Sequence, residues 1–132
     1  MDQIKIVIIE DNARIRFLIR EILDGENDIE ICDEAENLEK ARQIIEDVRP
    51  DIVLLDISFG GKDGGLKLLN EISQLSKSTH AIILSAYSED IYATLSLKAG
   101  AKGYICKDKT VGCLAEAIRC VYSGKEFVSS RI

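Results

Sequence analysis

Short apolar runs rich in Ile and Val recur along the chain: IKIVII at 4–9, a run near 29–34, DIVLL at 51–55, the stretch at 80–85 that opens HAIIL, and GYIC at 103–106. Between them lie longer stretches in which apolar residues return every three or four positions. Buried strands separated by amphipathic helices give βαβ units and a parallel sheet.

The helical stretches are predicted from their stripes and stops. The first follows Asp11 and Asn12, buries Ile15, Leu18, Ile19 and Ile22, turns Arg14, Arg16 and Arg20 the other way, and stops at Gly25. The second opens on Asn37 as N-cap, carries Leu38, Ala41, Ile45 and Val48 on one face, and breaks before Pro50. Leu68, Leu69, Ile72 and Leu75 form the third stripe, after a glycine-rich SFGGKDGG segment that reads as a flexible loop. The fourth, from Ser88 as N-cap to Gly100, has the weakest pattern, because Tyr92, Thr94 and Ser96 dilute Ile91, Leu95 and Ala99. Less apolar surface makes it the candidate for an element that moves. The fifth opens at Thr110, shows Leu114, Ala117, Ile118 and Val121 in register, and ends at Gly124.

At 132 residues, with 46% hydrophobic and 30% charged residues and one proline, the composition is that of one ordinary globular domain. The longest apolar runs fall far short of the roughly 20 residues that cross a bilayer, so no membrane contact is expected. MDQIKIVIIEDN lacks the basic start and apolar stretch of a secretory signal, which makes a cytoplasmic location the expectation. Cys32, Cys106, Cys113 and Cys120 include no CxxC pair, and a lone His80 completes no zinc set with them, so they read as small buried hydrophobes. A net charge of −6 argues against nucleic acid contact by this segment.

Candidate chemistry gathers where the apolar runs end. The first run stops at Glu10 and Asp11, the third at Asp56, the fourth at Ser85 and the fifth at Lys107. In an open parallel sheet the carboxyl ends of the strands share one edge, where such folds place ligands. Three carboxylates, a hydroxyl and an ammonium would converge there. The set suits phosphoryl transfer: hard oxygen ligands for Mg²⁺, one carboxylate free to attack, and two groups to hold phosphoryl oxygens. Each residue also has a plainer reading. Asp11 could cap the first helix, with Glu10 favouring its positive end; Asp56 could be a turn residue, Ser85 a satisfied hydroxyl and Lys107 a surface lysine. The glycine cluster is not a phosphate-binding loop, because Asp63 stands where Ser or Thr must follow Gly-Lys.

IEDN, LLDISFGGKDG, ILSAY, LKAGAKGYICKD and LAEAIRCVYSGKEFVS together resemble the receiver domain of two-component response regulators, in order and spacing over essentially residues 1–132. The absence of proline after Lys107 and the closing SGKEFVS look most like the NarL/LuxR-type branch. The resemblance implies an α/β, flavodoxin-like, doubly wound (βα)5 fold with a five-stranded parallel sheet of order 2-1-3-4-5. It implies that Asp56 accepts a phosphoryl group from a sensor histidine kinase or phosphotransfer protein. Glu10, Asp11, Asp56 and the main-chain carbonyl of Ser58 would hold Mg²⁺, with Mn²⁺ as a substitute. Lys107 and Ser85 would bind the phosphoryl oxygens. Ser85 and Tyr104, turning inward, would form the switch, and Asn12, Arg14 and Phe17 would meet the kinase. The implied output is transcription, through a DNA-binding domain beyond residue 132, and a homodimer is left open.

Departures from the family pattern are Gly60 and Gly61 where a proline is usual, Asp108 after the lysine, and Glu10 in place of the commoner Asp. None removes a reactive group. No turnover of a free substrate is expected. Two rival readings stand beside this one. A metal-dependent phosphohydrolase of one large class needs a second acid two residues after the nucleophile, where Ser58 stands. A stand-alone or degenerate receiver would act as a phosphorylation-independent interaction module.

Overall fold

The strands form where the Ile/Val runs lie: β1 (Ile4–Ile9), β2 (Ile29–Ala35), β3 (Ile52–Asp56), β4 (His80–Ser85) and β5 (Gly103–Cys106). The computed structural model describes residues 3–60, 64–86 and 89–129. All neighbouring strands are parallel. β3 and the β4 residues after His80 are buried throughout, as expected for inner strands covered on both faces. The helices are α1 (Ala13–Leu23), α2 (Leu38–Val48), α3 (Gly64–Leu75), α4 (Glu89–Lys98) and α5 (Thr110–Tyr122).

The sheet has six strands in the order 2-1-3-4-5-6, one more than the five expected. The addition, β6 (Phe127–Val128), pairs Phe127 with Gly103 and Val128 with Tyr104. Phe127 and Val128 are each 5% exposed. Two residues carry too little periodicity to announce a strand, and only the open edge of β5 makes them one.

Two cores lie on opposite faces of the sheet. Val7, Ile9, Val53, Leu55 and Ile83 face α2, α3 and α4. Ile6, Ile8, Leu54, Ile82 and Ile105 face α1 and α5. Strand residues alternate between the cores with period two, as the pleat requires.

Several stripe assignments change. Leu18 is 48% exposed and Val48 37%, so α1 buries Ile19 and Leu23, and α2 buries Ala41, Ile44 and Ile45. On α4, Leu95 is 52% exposed while Ala93 and Ser96 are buried. A stripe of small residues is a weak pattern because it holds little apolar surface. The Ser88 cap, and Gly61, Lys62 and Asp63 of the glycine segment, lie outside the described residues.

The glycine segment is not simply a loop. Gly64 and Gly65 begin α3 and are buried. A Cβ on Gly64 would stand 3.0 Å from the Phe59 carbonyl carbon and closer still to its oxygen; one on Gly65 would stand 2.9 Å from the Asp56 carbonyl oxygen and closer to that of Ile57. These glycines let the helix start directly against the turn that carries Asp56. Phe59, fully buried, anchors that turn.

Candidate functional site

Glu10, Asp11 and Asp56 meet at the carboxyl edge of β1 and β3, with one carboxylate oxygen of each within 4.8 Å of the others. Glu10 is 2% exposed and Asp56 4%, while Asp11 faces solvent. Adjacent parallel strands put these acids side by side, because β1 and β3 pair from Ile6–Ile52 to Ile9–Leu55.

The capping question resolves in favour of Asn12. Its Oδ1 accepts from Arg14 N at 2.9 Å and Ile15 N at 3.3 Å. Asn12 thus spends its side chain on the helix, and Asp11 keeps its carboxylate for the site. Glu10 is held by its backbone and one oxygen: Arg16 Nη1 donates to its carbonyl at 2.7 Å, and Oε2 accepts from Asn12 N at 3.1 Å. Arg16 also reaches Glu34 at 3.3 Å. Sequence spacing placed Arg16 among the outward arginines, and nothing in a 3.6-residue pattern marks a contact back to the strand end.

Asp56 also does turn work. Ser58 N donates to its Oδ1 at 3.2 Å, and Phe59 N to its carbonyl at 3.0 Å. Ser58 Oγ lies 3.1 Å from Oδ1 and 3.2 Å from Oδ2. Lys107 Nζ stands 3.3 Å from Asp56 Oδ1 and 3.7 Å from Glu10 Oε1. At 3.7 Å the lysine is an ion-pair partner and not a hydrogen bond, and Glu10 Oε1 is buried without a hydrogen-bond partner.

Among the described residues the Lys107 ammonium pairs with the two buried carboxylates, and the exposed Asp11 stands beside them. Burial pushes the Glu10 carboxyl up to about 7; the Asn12 backbone N–H opposes this, Asp56 and Asp11 add to it, and Lys107 opposes it. An orphaned buried oxygen among close hard donors is the arrangement a small divalent cation relieves, so the donor set fits such a metal.

Ser85 ends β4 and is fully buried, opposite Cys106, the residue before Lys107. Tyr104 is fully buried in the core facing α3 and α4, so the ring expected to turn inward is already inside here. Arg14 and Phe17 lie outside the site on the exposed face of α1, Phe17 at 56% exposure with the Arg20 guanidinium 5.9 Å from its ring centroid. Sequence left Phe17 between surface and core; the structure puts it on the surface.

A parallel sheet of order 2-1-3-4-5-6, with its acids where the connections turn from one face to the other, defines a doubly wound α/β domain with its site at the topological switch point. The family model "Response regulator receiver domain" matches residues 6–119, and the chain belongs to that family. It is similar to the oxygen regulatory protein NreC of Staphylococcus epidermidis, with 34% identity over 97% of this chain and 59% of the relative. It is also similar to the transcriptional regulatory protein DegU of Brevibacillus brevis, with 30% identity over 99% of this chain and 55% of the relative. The chain thus spans little more than half the length of these relatives.

Among solved structures, a LuxR-family two-component response regulator from Aurantimonas sp. superposes with TM-score 0.89 at 23% identity, covering 97% of this chain and 91% of that one. The receiver domain of the putative response regulator NarL from Mycobacterium tuberculosis gives 0.85 at 23% identity, covering 95% and 100%. Both relatives are named as regulatory proteins, in line with the response-regulator resemblance of the sequence, and the two solved structures share the fold. Receiver domains are signalling modules of two-component systems, not enzymes that turn over a free substrate. No helix among the described residues is long and apolar enough to cross a membrane.

Proposed function

We propose that Asp56 accepts a phosphoryl group from the phosphohistidine of a sensor histidine kinase or phosphotransfer protein. The observation that carries the reading is the buried Asp56 carboxylate, set between Lys107 at 3.3 Å and the Glu10–Asp11 pair. A lone turn aspartate has no need of that company.

An Asp56 oxygen attacks the phosphorus in line; the new O–P bond forms as the P–N bond breaks, and the imidazole leaves with the electron pair. Lys107 offsets charge on the phosphoryl oxygens, and the Ser85 hydroxyl binds one of them in the product. Glu10, Asp11, Asp56 and the Ser58 carbonyl would hold Mg²⁺, or Mn²⁺ in its place. The ion supplies positive charge to the equatorial oxygens. Recruiting Ser85 pulls the loop after β4, and the population shifts at the face of α4, β5 and α5, with the buried Tyr104 ring marking one of the two states. Autodephosphorylation is slow, and no free substrate is turned over.

In this reading residues 1–132 form the receiver, and transcription is controlled through a DNA-binding domain outside them. The greater length of the relatives and the name of DegU support that output. The kinase meets α1 through Arg14 and the exposed Phe17, beside Asn12; pairing of two receivers is a further consequence of the shifted face. The cytoplasm is where such a kinase presents its phosphohistidine.

The test is intact-protein mass after incubation with acetyl phosphate and Mg²⁺, beside Asp56→Asn. One added phosphoryl group, absent from the variant, is the expected result. No adduct on the wild type, together with no response to beryllofluoride and Mg²⁺, overturns the reading.

A further inference from the structure

Beyond the residues already placed at the site, one buried hydroxyl touches it from the far end of the chain. Ser129 is 2% exposed, and its Oγ accepts from Cys106 N at 3.1 Å. Cys106 is the last residue of β5 and immediately precedes Lys107, whose ammonium reaches Asp56.

The register explains why this bond is unusual. With Phe127 opposite Gly103 and Val128 opposite Tyr104, a continuing parallel β6 would bring the Ser129 carbonyl to the Cys106 N–H. The ladder begins that way, with Phe127 N donating to Lys102 O at 3.0 Å. The strand stops after Val128, and the Ser129 side chain takes the place its carbonyl would have held. On the other side Cys106 pairs with Ser85 of β4. The backbone just before Lys107 is thus gripped by β4 on one flank and by Ser129 on the other.

We infer that Ser129 is a positioning residue for Lys107, coupling the point where the chain leaves the sheet to the phosphoryl-binding ammonium. The inference rests on the proposed role of Asp56 and Lys107. Lys107 opens a single 3-10 turn, Lys107–Lys109, and Cys106 caps it without any side-chain cap bond. The direction in which Lys107 departs is therefore set by the backbone at Cys106. A hydroxyl that fixes this N–H fixes the lysine, and movement of the lysine upon phosphorylation is felt at Ser129. What leaves the sheet at Ser129 then feels the state of Asp56 without touching it.

The test compares wild type, Ser129→Ala and Ser129→Thr by phosphorylation rate with acetyl phosphate and by Mg²⁺ affinity from calorimetry. Loss of one hydrogen bond to the positioning backbone corresponds to about a fivefold slower phosphorylation in Ser129→Ala. Ser129→Thr restores the rate, and Mg²⁺ affinity shifts less than the rate in both, since the acids are held by β1 and β3 and only the ammonium beside them moves. In a double-mutant cycle with Lys107→Ala, read as beryllofluoride affinity, the Ser129→Ala effect disappears. A wild-type rate in Ser129→Ala, or an equal effect with Lys107 removed, overturns the inference while leaving Asp56 phosphorylation standing. If wild type itself gains no phosphoryl group, the parent reading has failed instead. Should Ser129→Ala not fold, amide exchange on the wild type decides: the Cys106 amide changes protection on adding beryllofluoride and Mg²⁺, and an unchanged amide refutes the coupling.

Discussion

Gly65→Ala tests whether the glycine segment exists for close approach or for loop freedom. The added methyl would stand 2.8 Å from the Ile57 carbonyl carbon and 2.9 Å from the Asp56 carbonyl oxygen. Ordinary C···O contacts lie near 3.3–3.6 Å, so the Asp56 oxygen must yield several tenths of an ångström and the Ile57 carbonyl oxygen, which lies closer still, about an ångström. The obstacle is backbone and cannot rotate away. It is tied down by Ile57 N donating to Leu84 O at 3.0 Å and by Phe59 N donating to Asp56 O at 3.0 Å. Overpacking of this kind costs about 1–3 kcal/mol, and a stretched backbone hydrogen bond adds about 1 kcal/mol. Replacing glycine in a helix returns about 0.5–1 kcal/mol. The net expectation is a loss of about 1–3 kcal/mol. Gly112→Ala on α5 is the control, because nothing lies within 4 Å of its added Cβ. It should gain about 0.5–1 kcal/mol. Urea unfolding of both variants measures the difference. Gly65→Ala should also slow phosphorylation, since it displaces the turn bearing Asp56, whereas Gly112→Ala should not. If Gly65→Ala is as stable as wild type, the close-approach argument is refuted.

Asp56→Asn should stabilise the metal-free protein by about 1 kcal/mol, because it removes a buried charge that opposes Glu10, and should abolish the stabilisation that Mg²⁺ gives wild type; thermal unfolding with and without Mg²⁺ reads both. Glu10 sets a pH dependence of definite sign. Its folded carboxyl, raised from 4.5 to about 7, contributes stability that is full below about pH 4.5 and lost as pH rises through 7. In EDTA, the melting temperature of wild type relative to Glu10→Gln should therefore fall between pH 5 and pH 8, and a rise would contradict the assignment. Arg42→Ala removes a bidentate pair with Glu71, at 2.7 and 2.9 Å, that joins α2 to α3. Both partners reach solvent, so only a small loss is expected by urea unfolding, shrinking in high salt. Phe17→Ala should leave stability within about 0.5 kcal/mol of wild type, because the ring is exposed, while slowing phosphotransfer from a kinase but not from acetyl phosphate. Equal slowing with both donors would refute the docking role.

The alternation of Ile/Val runs with amphipathic stretches determined the strands, the helices and their parallel arrangement, because burial on both faces demands continuous apolar runs. The same pattern put Glu10, Asp11, Asp56, Ser85 and Lys107 at strand ends, and a parallel sheet brings strand ends to one edge. What sequence could not carry were contacts set by approach in space. Asn12 rather than Asp11 caps α1, and Arg16 reaches back to the Glu10 carbonyl. Gly64 and Gly65 serve packing against a neighbouring turn, which leaves the same letters as a flexible loop. The small stripe of Ala93 and Ser96 on α4 and the two residues of β6 hold too little periodicity to be read. Ser129 meets Cys106 across 23 residues because β6 lies beside β5. Local pattern records how much surface each residue must bury; which partner covers it, and which N–H finds which oxygen, is decided only when the elements pack.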